Sequence, residues 1–167
     1  MDLKFKKAVS PQDFDTVAAL ADEIWHQHYG TFLAKDHIDY MVATFQSAAA
    51  VAEQCANGAE YYIAVVDGEP VGYIGLEFPP KECFLSKLYL RKSMRGRGIG
   101  SAMFDLAEEL ARKHGESSIM LHVNKYNDGS IAVYQKRGFV KKCDLVTDIG
   151  RGYCMDDYIL VKKLDRV

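Results

Sequence analysis

Between Cys83 and Val123 the sequence changes its hydrophobic period twice, and this constrains the fold more than any other feature. Cys83 to Leu90 reads as a strand, and Arg95-Gly96-Arg97-Gly98-Ile99-Gly100 follows as a basic, glycine-rich loop. Ile99, Met103, Leu106 and Leu110 then recur at helical spacing as far as His114-Gly115, after which Ile119 to Val123 is again a strand. A strand, helix, strand order implies a right-handed crossover, so the two strands should lie parallel to each other.

The flanking segments supply the rest of a mixed sheet. Leu3 to Val9 alternates as a first strand, and Ser10-Pro11-Gln12-Asp13 offers an N-cap, a proline at the first helical position and an acid at the third. Phe14, Val17, Ala18, Ala21, Ile24, Trp25 and His28 mark the buried face of that helix up to Tyr29-Gly30. Ile38, Met41, Val42 and Phe45 mark a second helix, and Ala48 to Ala56 a short third one. Tyr61 to Val66, the turn Asp67-Gly68-Glu69-Pro70 and Val71 to Phe78 form a hairpin, and the strand from Cys83 extends it into an antiparallel meander after Pro79-Pro80. Beyond Val123 the sequence predicts a helix from Asp128 to Arg137 ending at Gly138, then strands over Phe139 to Val146 and Tyr153 to Lys163. With no repeat, low-complexity stretch or linker, residues 1–167 are expected to be one α+β domain, a mixed sheet with helices on both faces.

Composition narrows the partners. Lys and Arg number 21 against 23 Asp and Glu, a net charge of -2, so there is no global basic field for nucleic acid. No apolar run approaches the ~18 residues of a membrane span, and Met1-Asp2-Leu3-Lys4-Phe5-Lys6-Lys7 lacks a signal-peptide core, so a cytosolic protein with no membrane partner is expected. Cys55, Cys83, Cys143 and Cys154 form no C-x-x-C pair and are expected to be reduced, mostly buried thiols. His26 and His28 are two apart on a helix and face different directions, so no metal site is expected.

The loop at Arg95 carries the chemistry. Its glycines let consecutive backbone N–H groups point at one anion, and the following helix adds its own unpaired donors and positive dipole end. Arg91, Lys92, Arg95 and Arg97 cluster around it, which matches a polyphosphate; taken alone, the segment would read equally well as a solvated basic turn. Gly-Lys occurs nowhere in the chain, which excludes a P-loop, and G-x-G-x-G after an antiparallel meander does not fit the dinucleotide fingerprint.

The segment resembles the R/Q-x-x-G-x-G/A signature of the Gcn5-related N-acetyltransferase (GNAT) superfamily, with Arg95, Gly98 and Gly100 in the matching places. Asn127, Tyr134, Gly138 and Phe139 are similar to its N-x(6)-Y-x(3)-G-F pattern, and the element order agrees from Ser10 to Leu164. The resemblance implies a sheet whose two central parallel strands splay around acetyl-CoA. It implies that Arg95, Gly96, Arg97, Gly98, Ile99, Gly100 and Ser101 bind the pyrophosphate, that Leu88, Tyr89 and Leu90 pair with pantetheine, and that Asn127 caps its helix or bonds CoA.

It also implies that Tyr134 protonates the departing thiolate. A phenol with a pKa near 10 suits that task, and a backbone N–H near Leu90 suits the thioester oxygen. Two bases are open for the amine. His122 has Leu121 and Val123 on the opposite face of its strand and stands where the ribosomal-protein branch of the family carries a glutamate; Glu77 on the hairpin is the alternative. The expected activity is transfer from acetyl-CoA to a primary amine, small or on a protein, by direct attack in a ternary complex formed by a monomer or homodimer. The alternative is a silent acyl-CoA-binding sensor or interaction module. Trp25, Tyr29, Phe32, Tyr40 and Phe45 read as core, part of which could line an acceptor pocket. Met155-Asp156-Asp157-Tyr158 is similar to the ending of bacterial polyamine-type acetyltransferases, which favours a small cationic amine.

Overall fold

The structure is a computed structural model that describes residues 1–165. In chain order its elements are β1 (Leu3–Lys7), α1 (Pro11–Tyr29), α2 (Lys35–Phe45), α3 (Ala48–Ala56), β2 (Glu60–Val66), β3 (Glu69–Glu77), β4 (Glu82–Leu90), α4 (Ile99–Lys113), β5 (Ser118–Asn124), α5 (Asp128–Lys136), β6 (Val140–Gly150) and β7 (Tyr153–Lys163). The strand order is β1-β2-β3-β4-β5-β7-β6. β1 with β2 and β2 with β3 are antiparallel, and β4 meets β5 in the parallel sense expected, over Glu82–Phe84 and Ser118–Met120. β7 inserts between β5 and β6, antiparallel to both. Two compact units result: Met1–Glu77 with Lys87–Ala107, and Phe78–Ser86 with Glu108 onward.

In the first unit, α1 begins where its cap dictates. The Ser10 hydroxyl accepts from Asp13 N–H at 3.2 Å, and the Asp13 carboxylate accepts from Ser10 N–H at 3.1 Å and Val9 N–H at 3.0 Å. Burial would raise the Asp13 carboxyl, but Lys6 at 2.7 Å and these N–H donors outweigh it and hold it well below the usual range. Val17, Leu20, Ala21, Ile24 and Trp25 are buried, whereas Phe14, Ala18 and His28 are only half-buried, so the apolar face is centred nearer Leu20 than the periodicity predicts. The hairpin turns on Asp67 (φ 50) and Gly68 (φ 84), the positive pair that a tight two-residue turn needs. Gly72 is required by packing, because a Cβ there would stand 2.4 Å from the Tyr89 carbonyl oxygen.

A buried hydrogen-bond chain fixes the helices of this unit on its sheet. Trp25 Nε1–H donates to Tyr73 Oη at 3.0 Å, and Tyr73 donates to Gln46 Oε1 at 2.6 Å. Gln46 donates to Tyr61 Oη at 3.2 Å, and Tyr61 donates to Gln54 Oε1 at 2.5 Å. Trp25, Tyr73, Gln46 and Tyr61 each find a partner in this network, which makes the arrangement specific as well as stable. Of the five front-helix aromatics expected in the core, Trp25 alone is fully buried; Tyr29, Phe32, Tyr40 and Phe45 are half-buried.

In the second unit β5 alternates as expected: Ile119, Leu121 and Val123 are buried and His122 is partly exposed on the other face. α4, whose residues up to Ala107 belong to the first unit and from Glu108 to the second, buries Ile99, Met103, Phe104, Ala107 and Ala111, while Leu106 and Leu110 are half-buried. Glu108 joins the buried stripe because cations meet it there, which rotates the face away from the two leucines. The expectation of mostly buried thiols is also corrected. All four cysteines are free, but Cys143 and Cys154 are exposed on β6 and β7, Cys55 is partly exposed, and only Cys83 is buried. β6 is an edge strand with both faces largely open, so its alternation does not report burial. Among the described residues no helix is long and apolar enough to cross a membrane.

Candidate active site

The first unit presents the anion loop. β4 ends at Leu90, a 3-10 turn runs over Lys92–Met94, and α4 starts at Ile99. The first i to i-4 bond of α4 is Ala102 N–H to Gly98 O at 3.1 Å, so the N–H groups of Ile99, Gly100 and Ser101 lie ahead of the helical ladder. Gly96 (φ 77) and Gly98 (φ 81) have left-handed backbones, and a Cβ on Gly96, Gly98 or Gly100 would meet nothing within 4 Å. Nothing inside the protein requires glycine at 100, where φ is not positive; the space is open to a ligand.

The cations of this loop divide into two kinds. Lys92, Arg95 and Arg97 are exposed and make no ion pair among the described residues. Arg91, expected in the phosphate cluster, is committed elsewhere: its Nε donates to Glu23 at 2.8 Å and its NH1 to Glu69 at 2.9 Å. It ties the loop entrance to α1 and β3, and with Glu23, Gln27, Lys92 and Ser93 it lines an open depression of about 590 Å³. The Arg91 N–H is likewise committed, to Val71 O at 2.8 Å, so it is not the donor sought near Leu90 for a thioester.

Leu88, Tyr89 and Leu90 lie on β4, where Tyr89 joins an aromatic cluster. Its ring centroid is 5.2 Å from Trp25 and 5.7 Å from Tyr73, and its hydroxyl is 2.8 Å from that of Tyr29. His28 packs edge-on against Tyr29 at 4.8 Å; burial, reinforced by the Arg95 charge, pushes it down to about 4, so it is neutral at pH 7. Glu77 is exposed at the end of β3 beside the ammonium of Lys87. The Lys87 stem crosses Gly75, where a Cβ would stand 3.1 Å from its Cγ. Although Lys87 keeps some exposed surface, its ammonium is crowded by protein, and burial pulls it down to about 8 against the opposing pull of Glu77.

The second unit carries the other expected residues. His122 packs against Phe84, ring centroids 4.7 Å apart. Asn127 is the N-cap of α5, its Oδ1 accepting from Ser130 N–H at 3.2 Å, and so it orients the helix that carries Tyr134. The Tyr134 ring stands edge-on to Phe139 at 6.1 Å, and its hydroxyl is hydrogen-bonded with Ser130. Burial pushes the phenol up to about 12, so it is fully protonated at neutral pH and a weaker acid than free tyrosine. Asp157 on β7 belongs to the Met155-Asp156-Asp157-Tyr158 segment quoted above, although no role was expected of it individually. It is 3% exposed, and burial together with the neighbouring Asp156 charge raises its carboxyl to about 6. Among the described residues no group of three His, Cys, Asp or Glu side chains is arranged to hold a metal.

These features can be set beside known proteins. The model of the acetyltransferase (GNAT) family matches residues 17–139, and the chain belongs to that family. It is therefore an acetyl-CoA-dependent N-acetyltransferase. Over 165 residues it is 28% identical to an uncharacterized N-acetyltransferase in the pepI 3' region of Lactobacillus delbrueckii subsp. lactis, covering 93% of this chain and 95% of that one. A spermidine N(1)-acetyltransferase of Thermoplasma acidophilum is 23% identical over 144 residues, 83% of this chain and 89% of that protein. The crystal structure of PaiA N-acetyltransferase from Thermoplasma acidophilum in complex with coenzyme A shares the fold, with a TM-score of 0.84, 23% identity and coverage of 98% and 99%.

Proposed function

We propose that this enzyme acetylates a primary amine by direct attack on acetyl-CoA within a ternary complex, in the cytosol. The observation that carries the reading is the loop at the start of α4. Open glycines, free helix N–H groups and three uncommitted cations converge there as a pyrophosphate requires. Arg95, Gly96, Arg97, Gly98, Ile99, Gly100 and Ser101 hold the pyrophosphate, and the main chain of Leu88, Tyr89 and Leu90 pairs with the amides of pantetheine. Calorimetry tests the loop. Gly98→Trp places an indole in the open space and is expected to weaken acetyl-CoA by about tenfold with the fold intact. Equal affinity in the two proteins would remove the assignment.

In this reading Tyr134 gives its proton to the leaving sulfur, and the amine nitrogen gives its own to a base. His122 serves as that base, held by the Phe84 ring, with Glu77 on β3 as the second candidate. The rate over acceptor concentration should then rise with pH along a limb that belongs to the base. His122→Ala is expected to remove that limb and Glu77→Gln to leave it. The reverse pattern would make Glu77 the base, and a limb that moves with the acceptor's own pKa would implicate neither. The protonated phenol on a capped helix favours turnover over a silent binding module. A small cationic amine is the acceptor class closest to the spermidine named for the Thermoplasma relative.

A further inference from the structure

Asp157 is a nearly buried carboxylate that has no side-chain partner among the described residues. It is 3% exposed, and its side chain makes no hydrogen bond or ion pair among the described residues. The cation nearest along the pairing, Lys125, is committed to Asp156 at 2.8 Å, and Asp156 faces the opposite side of β7. An uncompensated buried charge is costly and is ordinarily met by a cation or by several donors.

Register shows where the group lies. Asp157 stands opposite Asn124 and Ile159 opposite His122 across the β5–β7 ladder. Paired residues share a face and alternate residues return to it, so His122, Asn124, Asp157 and Ile159 lie on one face, with Phe84 packed on the His122 ring. The opposite face holds Leu121, Val123 and Leu160, all buried apolar side chains. The one unpartnered carboxylate of these strands is thus on the face of the candidate base, one step along the ladder from it.

The nitrogen that attacks a thioester must be uncharged, and a carboxylate in contact with it would keep it protonated. The carboxylate is suited instead to a nitrogen that does not react. We propose that Asp157 is a specificity-determining residue that pairs with a second, unreacting ammonium group of the acceptor, so that the enzyme selects diamines and polyamines over monoamines. This rests on the reading above that the His122 face receives the acceptor. No proton changes hands at Asp157; the second ammonium arrives and leaves charged.

The test compares 1,4-diaminobutane with n-pentylamine, which are similar in length and differ by one charge, in the wild type and in Asp157→Asn. The wild type is expected to favour the diamine by about tenfold or more in kcat/KM. Asp157→Asn should raise KM for the diamine by a similar factor, leave kcat within about twofold, and leave the monoamine constants unchanged. Asp157→Glu should retain part of the preference. Because the amide removes an uncompensated charge, the variant should melt no lower than the wild type, which separates recognition from misfolding. A wild type that binds acetyl-CoA but shows no preference for the diamine, whether or not it turns over either amine, overturns the proposal alone. So does an Asp157→Asn enzyme that keeps the preference. A wild type that fails to bind acetyl-CoA overturns it together with the reading beneath it.

Discussion

Tyr134→Phe is expected to lower turnover by about tenfold to a thousandfold while acetyl-CoA affinity stays within about twofold. The substitution removes one oxygen and leaves the ring, so the edge-on contact with Phe139 and the Asn127 cap of α5 persist. What is lost is a hydroxyl that burial keeps protonated, at about 12. At that value the phenol is too weak an acid to release its proton to an intact thioester. It can hydrogen-bond the sulfur and yield the proton only as negative charge builds there, which makes the interaction specific to the transition state. The effect should therefore fall on kcat and not on donor binding. Single-turnover rates measured beside calorimetry decide it, and an unchanged chemical step would return Tyr134 to a packing role.

The spacing from Asn127 to Tyr134 and from Arg95 to Gly100 was legible because each motif is local. A cap, a helical turn and a glycine loop are fixed by neighbours in sequence, and here they occur where the periodicity predicts a helix start. The capping box at Ser10 and Asp13 was legible for the same reason. The insertion of β7 between β5 and β6 was not, since strand order depends on pairing between segments far apart in sequence. That insertion places Asp157 opposite Asn124 and buries it, which the adjacent pair Asp156-Asp157 does not by itself reveal. Arg91 failed in the opposite sense. Its position suggests a phosphate ligand, but Glu23 and Glu69 arrive from α1 and β3 and claim its guanidinium. Local charge shows which groups are present, and only the long-range contacts show which remain available.

The same distinction separates two adjacent glutamates on α4. Glu109 is 62% exposed and pairs with Lys113 at 3.5 Å, one helical turn away, an arrangement that contributes little in water. Glu108, with a side chain 6% exposed, accepts from Arg137 at 2.7 Å and pairs with Lys162 at 2.7 Å, with Arg112 at 4.0 Å. Glu108→Gln removes an anion that pairs with these cations and leaves a buried amide with fewer matched partners, a loss of about 3 kcal/mol, reduced from the fully buried case because Arg137 and Lys162 are each 24% exposed. For a chain of this size that is a fall in Tm of about 6 to 12 °C. Glu109→Gln should change stability by no more than about 0.5 kcal/mol. Arg137 is the C-cap residue of α5, three positions after Tyr134, so loosening it should also lower turnover at temperatures well below the melt. Denaturant melts of the two variants, read beside kcat at 25 °C, test both parts. Equal shifts for Glu108→Gln and Glu109→Gln would show that the Glu108 network is not what anchors α5, and a destabilised Glu108→Gln enzyme with wild-type turnover would confine its role to stability.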